Sequence, residues 1–557
     1  MKRNRLTKLA ALAVITSMLF TAAACGSGAK TGTDNKTNTS AGTSSSNTNT
    51  KTDPLAKYDP PVTITAWRSL SPTLKYENGD TIDNNAYTKA YLDQLGIKLN
   101  YVWTVPEEQF EQKMNISIAS GDLPDIMWLY NKQLIDLAEN DMLYDLTKLY
   151  ETNTSATTKE IMQQDQVSFD TAKVGGKLMA LPYTGSAIDS LHMMYLRTDW
   201  LQNLGLSEPK TMQDVLNIAS AFAKKDPDKN GKDDTYGLAL VKTFLTEGHA
   251  NANGFFAGYH AYPRRWVKDA SGKLTYGSIS PETKVALKQL QDMYKDGLID
   301  KEFGVKDRAK VAETVSAGKV GIEFGSMSGP LSFLQTSVDN DPKAEWKSFP
   351  LPSIDDKPAA AIAKMPITKY FAVSKKSKNP EAIMKLLEFG TKGYTKDADP
   401  SLGTSPSGIP VWQYAVVGYE PARKNLDAHL HIADAIKTKD ASKLNVEEKG
   451  YYDKIVDFRA GNRKNWGTDR VFGSPSSFEV INSYVQNKSY IYDGFYGAPT
   501  PTMVEKRATL EKMEDEVFTK IIMGQSIDTF DKFIEDWRKL GGDQITKEVN
   551  DWAARNK

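Results

Sequence analysis

Cysteine is nearly absent from this chain: its 557 residues contain one, Cys25. A single cysteine excludes a disulfide within the chain and a metal or redox site built on several thiolates. The chain also lacks a net charge, because 70 Lys and Arg residues balance 70 Asp and Glu residues. Since binding to nucleic acid depends on a basic surface, this balance gives no reason to expect a nucleic-acid partner.

Histidine is also scarce, and only His429 and His431 of the five lie close together in sequence. A pair at this spacing is more often structural than metal-binding. The sequence has no His-Glu-x-x-His, Gly-x-Ser-x-Gly or phosphate-loop motif. The one catalytic arrangement left open is a pair of carboxylates distant in sequence, as glycoside hydrolysis requires.

The amino end is typical of an export signal. Four basic residues precede an apolar run over residues 9–20, which is too short for a permanent membrane span. Small residues then lead into Cys25, as in the lipobox of bacterial lipoproteins, although Ala22 stands where that motif usually has Leu. We therefore expect a signal peptide over residues 1–24 and a lipid on Cys25, which holds the protein at the outer face of the cell membrane. An incidental cysteine is the alternative.

Residues 25–54 contain mainly Gly, Ser, Thr, Asn and Lys. Such a segment buries too little apolar surface to fold, so we expect a flexible tether with a reach of roughly 30 Å. Residues 55–557 are too many for one hydrophobic core and predict two or more domains.

Strand and helix patterns mix along these residues. Segments 62–67 and 97–103 alternate apolar and polar residues as half-buried strands do, with a helical segment between them. Short apolar strands follow near residues 125–128, 193–199, 319–324 and 369–373. Thr211 and Asp214 are typical of a helix capping box, and helical periodicity dominates residues 510–552. The sequence thus predicts an α/β fold with a helical carboxyl-terminal region.

Oxygen-bearing side chains recur at every second position from residue 226 to residue 234, and Gly231 stands where a calcium loop turns sharply. The twelfth position is Gly237, however, in place of the bidentate Glu of an EF-hand. We predict a structural calcium site that locks the end of a helix, and a polar turn without metal is the alternative. The predicted ligands are Asp226, Asp228, Asn230, the carbonyl of Lys232, Asp234 and a hydroxyl or carbonyl of Thr235.

Several stretches together resemble extracellular solute-binding proteins of family 1, in the LplA-like lipoprotein branch of Gram-positive bacteria. These stretches are residues 195–206, 209–211, 226–237, 499–503, 518–524, 530–533, 536–537 and 540–543. The resemblance implies a two-lobed, type II periplasmic-binding-protein-like fold with a ligand cleft between the lobes. It also implies delivery of a saccharide to the membrane subunits of an ABC importer, and calcium bound away from the ligand. We expect an oligosaccharide ligand, no catalysis and a monomer.

On this basis we expect residues 55–185 and 311–390 to form the first lobe. Residues 186–310 and 391–557 then form the second lobe. Sugar sites combine aromatic faces with polar groups, so aromatic residues at strand ends or in Gly/Pro loops are candidates for the cleft, with core packing as the alternative for each. The candidates are Trp67, Arg68, Trp128, Tyr183, Trp266, Phe324, Trp412, Trp466, Phe495 and Tyr496.

Two other functions stay open. A peptide receptor can use the same lobes and aromatic residues, with main-chain pairing in place of ring stacking. A lipid-anchored polysaccharide-degrading enzyme would instead show a close carboxylate pair in the cleft.

Overall fold

A computed structural model describes residues 53–71, 74–246, 248–365, 367, 369–395, 398–405 and 407–555. The predicted signal peptide, Cys25 and all of the predicted tether except its last two residues lie outside these ranges, so they stay predictions. In the described ranges, no helix combines the length and the apolar character that crossing a membrane requires.

The described strands fall into two main sheets and three short pairs. In chain order they are β1 (Val62–Leu70), β2 (Ile97–Pro106), β3 (Ile126–Leu129), β4 (Lys173–Val174), β5 (Lys177–Leu178), β6 (Leu181–Tyr183), β7 (Met193–Arg197), β8 (Tyr236–Leu238), β9 (Trp266–Lys268), β10 (Leu274–Tyr276), β11 (Val320–Gly325), β12 (Trp346–Phe349), β13 (Ala361–Ala363), β14 (Lys369–Val373) and β15 (Tyr490–Tyr492).

Helices connect these strands and fill the carboxyl-terminal region. They are α1 (Ala86–Ala90), α2 (Glu107–Ser120), α3 (Asn131–Glu139), α4 (Thr147–Asn153), α5 (Ala156–Met162), α6 (Gln166–Asp170), α7 (Thr198–Leu204), α8 (Met212–Lys224), α9 (Asn253–Gly258), α10 (Pro281–Lys295), α11 (Arg308–Ser316), α12 (Phe333–Asn340), α13 (Ala382–Lys392), α14 (Lys424–Thr438), α15 (Val446–Arg459), α16 (Trp466–Phe472), α17 (Ser477–Asn487), α18 (Pro501–Ile522), α19 (Thr529–Trp537) and α20 (Asp543–Arg555).

The start of α8 follows from its sequence. The Thr211 side chain accepts the backbone N–H of Asp214, and the Asp214 carboxylate accepts the N–H of Thr211 in return, which satisfies two donors at the helix end. The apolar stripe of Val215, Ile218 and Phe222 is buried against the second sheet. The predicted capping box is confirmed.

The first sheet has the order β2-β1-β3-β14-β6. β1 is parallel to β2 and β3, whereas β14 is antiparallel to β3 and β6. The carboxyl ends of β1, β2, β3 and β6 therefore share one edge with the amino end of β14. Ile64, Trp67, Met127 and Phe371 belong to the core of this sheet.

The second sheet has the order β12-β7-β11-β8, and β7 is antiparallel to β11 and β12. Its core contains Leu196, Trp200 and Ile322, and it extends without a break to Phe518 and Phe530 of the carboxyl-terminal helices. Two separate hydrophobic cores, each with a sheet, confirm the two-lobed α/β fold, and α18, α19 and α20 confirm the helical carboxyl-terminal region.

The sheets divide the chain differently from the predicted boundaries. Residues 311–390 were expected in the first lobe, but β11 and β12 pair with β7 in the second sheet, and the chain returns to the first sheet only at β14. Val411, Tyr414 and Tyr419 pack in the first core, although the predicted second lobe began at residue 391. A short apolar strand carries no local signal for which of two sheets it joins, which is why the sequence misplaced these segments.

Among the described residues, the chain crosses between the lobes three times: between β6 and β7, between β13 and β14, and between residues 419 and 426. At these crossings the Ser186 hydroxyl donates to the carbonyl of Ala422 at 2.6 Å, and the Asn425 amide donates to Asp189 at 2.5 Å. Burial raises the pKa of Asp189 to about 6. The first and third crossing segments are thus tied to each other by hydrogen bonds.

Candidate functional site

The candidate ligand site lies at the sheet edges where the chain crosses between lobes. β6 ends and β14 begins at this edge of the first sheet, and β7 begins at the corresponding edge of the second. In open α/β sheets, ligands bind beyond the carboxyl ends of parallel strands. Side chains at the ends of β1, β3, β6 and β11 are therefore placed to meet a ligand.

Two aromatic and two basic side chains come together at the edge of the first sheet. The Arg68 guanidinium carbon lies 4.6 Å from the ring centroid of Trp128. The ammonium of Lys369 lies 3.7 Å from that centroid and 4.8 Å from the ring centroid of Tyr183. We call Arg68, Trp128, Tyr183 and Lys369 the cleft cluster. It joins β1, β3, β6 and β14, so four strands fix its geometry.

Trp128 is held in place by hydrogen bonds. Its indole N–H donates to the carbonyl of Val416 at 2.9 Å, and its own carbonyl accepts the indole N–H of Trp67 at 3.1 Å. Trp67 is completely buried and stacks on Trp103, with ring centroids 5.1 Å apart. The structure therefore gives Trp67 a supporting position behind Trp128, within the core of the first lobe.

Arg68 is oriented by main-chain carbonyls. Its guanidinium donates to the carbonyl of Ala415 at 2.6 Å and to the carbonyl of Gln413, and its Nε is buried without a hydrogen-bond partner. Neutral carbonyls fix the direction of the guanidinium but leave its positive charge unneutralised. Trp412, one residue before this carbonyl pair, is half exposed.

Lys369 is a member of the cleft cluster that the sequence reasoning missed. Burial, and then the nearby charge of Arg68, lower the pKa of its ammonium to about 8, while Glu107 acts in the opposite direction. In the sequence, Lys369 was recognisable only as a lysine at the first position of the apolar strand β14. Its importance appears only when β14 pairs with β6 and places Lys369 beside Tyr183.

The second edge carries a different group of polar side chains. His249 lies between Glu323 and Ser328: its Nδ1 is 3.4 Å from the Glu323 carboxylate, and its Nε2 is 3.1 Å from the Ser328 hydroxyl. Glu323 is fully buried and accepts the backbone N–H of Ala250 at 3.0 Å. Such a chain of donors and acceptors can bind ligand hydroxyls. Sequence reasoning missed it because the residues are distant along the chain.

Phe324 is completely buried at the end of β11, with its ring centroid 6.3 Å from that of Phe255. Trp466 is also buried and packs in the second core. Neither side chain is exposed to a ligand in this structure. For both residues the structure favours the core-packing alternative.

Three further candidates lie elsewhere in the second lobe. Trp266 and Phe495 line a cavity of about 160 Å³ between the β9–β10 hairpin and the carboxyl-terminal helices. The Tyr496 ring packs against Trp552 at 4.7 Å. Of the ten candidates, the structure therefore brings Arg68, Trp128 and Tyr183 together, with Trp67 behind them.

The loop after α8 gathers the carboxylates of the predicted calcium site around Asn230. The amide nitrogen of Asn230 donates to Asp228 at 2.7 Å and to Asp234 at 3.2 Å, and its backbone N–H donates to Asp226 at 3.0 Å. Burial and the neighbouring Asp226 raise the pKa of Asp228. Two carboxylates thus meet the side-chain amide of Asn230, which itself carries an oxygen, and a third carboxylate meets its backbone N–H.

This loop fits calcium in the kind of donor it offers, because calcium prefers carboxylate and amide oxygens. Two contacts must change for binding: Lys319 lies 2.5 Å from the Asp234 carboxylate, and Asn230 must turn its oxygen inward. The hydroxyl of Thr235 donates to the carbonyl of Phe222 at 2.7 Å and is already engaged. In the described part of the chain, no group of three His, Cys, Asp or Glu residues is arranged to hold a metal.

Comparisons with known proteins agree with this architecture. Residues 78–392 match the family described as bacterial extracellular solute-binding proteins. Lipoprotein LipO of Bacillus subtilis (strain 168) is 29% identical over 278 residues, which is 49% of this chain and about half (53%) of that protein. The polygalacturonan/rhamnogalacturonan-binding protein YtcQ of the same strain is 24% identical over 487 residues, 82% of this chain and 85% of that protein.

A solved structure agrees as well. The S. pneumoniae ABC-transporter substrate-binding protein FusA, as an EF-hand mutant in complex with fructo-nystose, is 17% identical with a TM-score of 0.54. The match covers 89% of this chain and 100% of that chain. At this identity the likeness shows the fold.

Proposed function

Because this chain belongs to the bacterial extracellular solute-binding protein family, we propose that it captures an extracellular oligosaccharide and delivers it to an ABC importer. The observation that carries the proposal is the cleft cluster, in which Trp128 and Tyr183 meet Arg68 and Lys369 at the crossing edge of the first sheet. Sugar rings stack on aromatic faces, and basic side chains donate hydrogen bonds to hydroxyl and ring oxygens.

Two relatives support a saccharide as the ligand. One is named for binding polygalacturonan and rhamnogalacturonan, and the FusA structure contains fructo-nystose. The second sheet edge adds His249 and Ser328, whose hydrogen-bonding atoms suit sugar hydroxyls. A ligand held between the two edges would draw the lobes together about the three crossing segments.

We further propose that Cys25 carries a lipid and tethers a monomeric receptor to the outer face of the membrane, where it meets the importer's permease subunits. The naming of LipO as a lipoprotein supports the lipid anchor. Calcium at the loop of Asp226, Asp228, Asn230 and Asp234 is the remaining part of the proposal. It rests on the oxygen donors gathered there and on the EF-hand of FusA, whose structure was solved as an EF-hand mutant.

Calorimetric titration of the full-length chain with a panel of neutral and acidic oligosaccharides tests the proposal. We expect saturable binding of an intact oligosaccharide, and we expect Trp128→Ala to weaken it by about 10 to 100-fold, since a stacking partner contributes roughly 1–3 kcal/mol. Trp552→Ala is the control, because that indole packs against Phe495 and Tyr496 of the second lobe and is not a member of the cleft cluster.

Peptides and chain-length analysis belong in the same experiment. Binding of peptides alone would contradict the saccharide proposal. Shortened oligosaccharides after incubation would contradict a receptor without turnover.

A further inference from the structure

We propose that Asp189 makes the connection between the lobes sensitive to pH: the protonated carboxyl group holds the first and third crossing segments together, and its ionisation loosens them. We call Ser186, Asp189, Ala422 and Asn425 the hinge tie. This inference goes beyond the proposed function, because it concerns the crossing segments and holds whichever ligand the cleft binds.

The hinge tie has one hydrogen too few when Asp189 is ionised. The Ser186 hydroxyl oxygen lies 2.7 Å from a carboxyl oxygen of Asp189 and 2.6 Å from the carbonyl oxygen of Ala422. A serine hydroxyl has a single hydrogen, and both a carboxylate and a carbonyl can only accept. With a carboxylate at Asp189, one of these two short contacts therefore places two oxygens side by side without a hydrogen between them.

A proton on Asp189 satisfies every contact of the hinge tie. The carboxyl group then donates to Ser186, Ser186 donates to the carbonyl of Ala422, and the Asn425 amide donates to the other oxygen of Asp189 at 2.5 Å. The hydrogen bonds thus fit the protonated acid and not the carboxylate. Burial raises the pKa of Asp189 to about 6, in agreement with this count.

The charged groups around Asp189 leave it without an ion pair of its own among the described residues. Glu420, on the third crossing segment, disfavours the ionised form, whereas Lys424 at the start of α14 favours it. The ammonium of Lys424 lies 3.0 Å from the Glu447 carboxylate of α15 and 3.5 Å from Glu420. The Tyr451 hydroxyl, also of α15, donates to Glu447 at 2.8 Å. The neighbouring cation and phenol are therefore engaged by other carboxylates.

The turn that carries Asp189 also contacts the second crossing segment. Ser190, the last residue of the short helical turn Ala187–Ser190, accepts the backbone N–H of Lys364 at 2.8 Å. Lys364 lies between β13 and β14, so all three crossing segments meet at this turn. Ionisation of Asp189 removes one hydrogen bond from this meeting point, which corresponds to about a five-fold change in the equilibrium between the tied and the loosened hinge.

Amide hydrogen exchange of the ligand-free, full-length chain tests the inference. Protection is measured for peptides that cover residues 184–192 and 419–428, at about pH 5 and about pH 8, after correction for the intrinsic exchange rate. Asp189→Asn imitates the protonated acid, because its amide can donate to Ser186 while its oxygen accepts from Asn425.

Glu514→Gln is the matched control. Burial raises the pKa of Glu514 to about 7, so this carboxyl group titrates in a similar range. It accepts hydrogen bonds from Ser278 and Tyr276 within the second lobe and takes no part in the hinge tie. Ser186→Ala is a second test variant, since it removes the hydroxyl that Asp189 and Ala422 share.

Since the pKa of Asp189 is raised, the tie is complete at low pH and is lost as the pH rises through about 6. Protection of both peptides in the native chain should therefore fall by about five-fold or more between about pH 5 and about pH 8. Asp189→Asn should keep high protection at both pH values, Ser186→Ala should show low protection at both, and Glu514→Gln should follow the native chain.

Two results would overturn the inference. One is a native chain whose crossing segments are equally protected at both pH values. The other is a pH-dependent loss that persists unchanged in Asp189→Asn or, if that variant fails to fold, in Ser186→Ala. Either result would leave ligand capture by the cleft untouched.

Discussion

Replacing Lys369 by Met should stabilise the ligand-free protein at neutral pH. Burial and the charge of Arg68 lower the pKa of the ammonium from 10.5 to about 8, which corresponds to a cost of at most about 3 kcal/mol for holding the charge in the fold. The contact with the Trp128 ring offsets about 1–2 kcal/mol of this cost. A net gain of about 1–2 kcal/mol on removal of the charge is the expected magnitude.

The direction of the pKa shift determines how the stability cost of the Lys369 charge depends on pH. Since the folded pKa lies below the unfolded pKa, the cost is fully present below about pH 8 and disappears as the pH rises to 10.5. Scanning calorimetry at pH 7 and pH 10 should therefore show a Tm advantage of a few degrees for Lys369→Met at pH 7, and a smaller one at pH 10. A variant with a lower Tm than the native chain at pH 7, or with a difference independent of pH, would refute the reasoning.

Two further predictions follow from other parts of the structure. EDTA should lower the Tm of the native chain, and added calcium should restore it. Asp228→Asn should abolish this response to calcium. A melting curve that EDTA leaves unchanged would count against the calcium site. Phe324→Ala should cost about 3–5 kcal/mol of folding free energy, measured by denaturant titration, because the ring is fully buried; a near-neutral variant would contradict the core assignment.

Local patterns of the sequence identified much of the fold. Alternating residues located β1 and β2, and the capping box located the start of α8. The family match confirms the resemblance to solute-binding proteins. It also confirms the prediction that the chain is a binding protein and not an enzyme. Membership in the LplA-like branch stays a prediction.

Long-range pairing could not be read from local sequence. Nothing near β11 or β12 indicates that they join β7, so the lobe boundary at residue 311 was misplaced. Phe324 and Trp128 were both candidates as aromatic residues at strand ends. Both are buried, and their neighbours separate them: Phe324 packs against Phe255, whereas the Trp128 ring lies 3.7 Å from the ammonium of Lys369 at the sheet edge.

The most direct test of the central claim is an oligosaccharide titration of the native chain beside Trp128→Ala. The account predicts saturable binding of an intact oligosaccharide to the native chain and a loss of about ten-fold or more in the variant, with Trp552→Ala unaffected. Binding that survives Trp128→Ala unchanged would contradict the placement of the site at the cleft cluster. Absence of saccharide binding to the native chain would contradict the function itself.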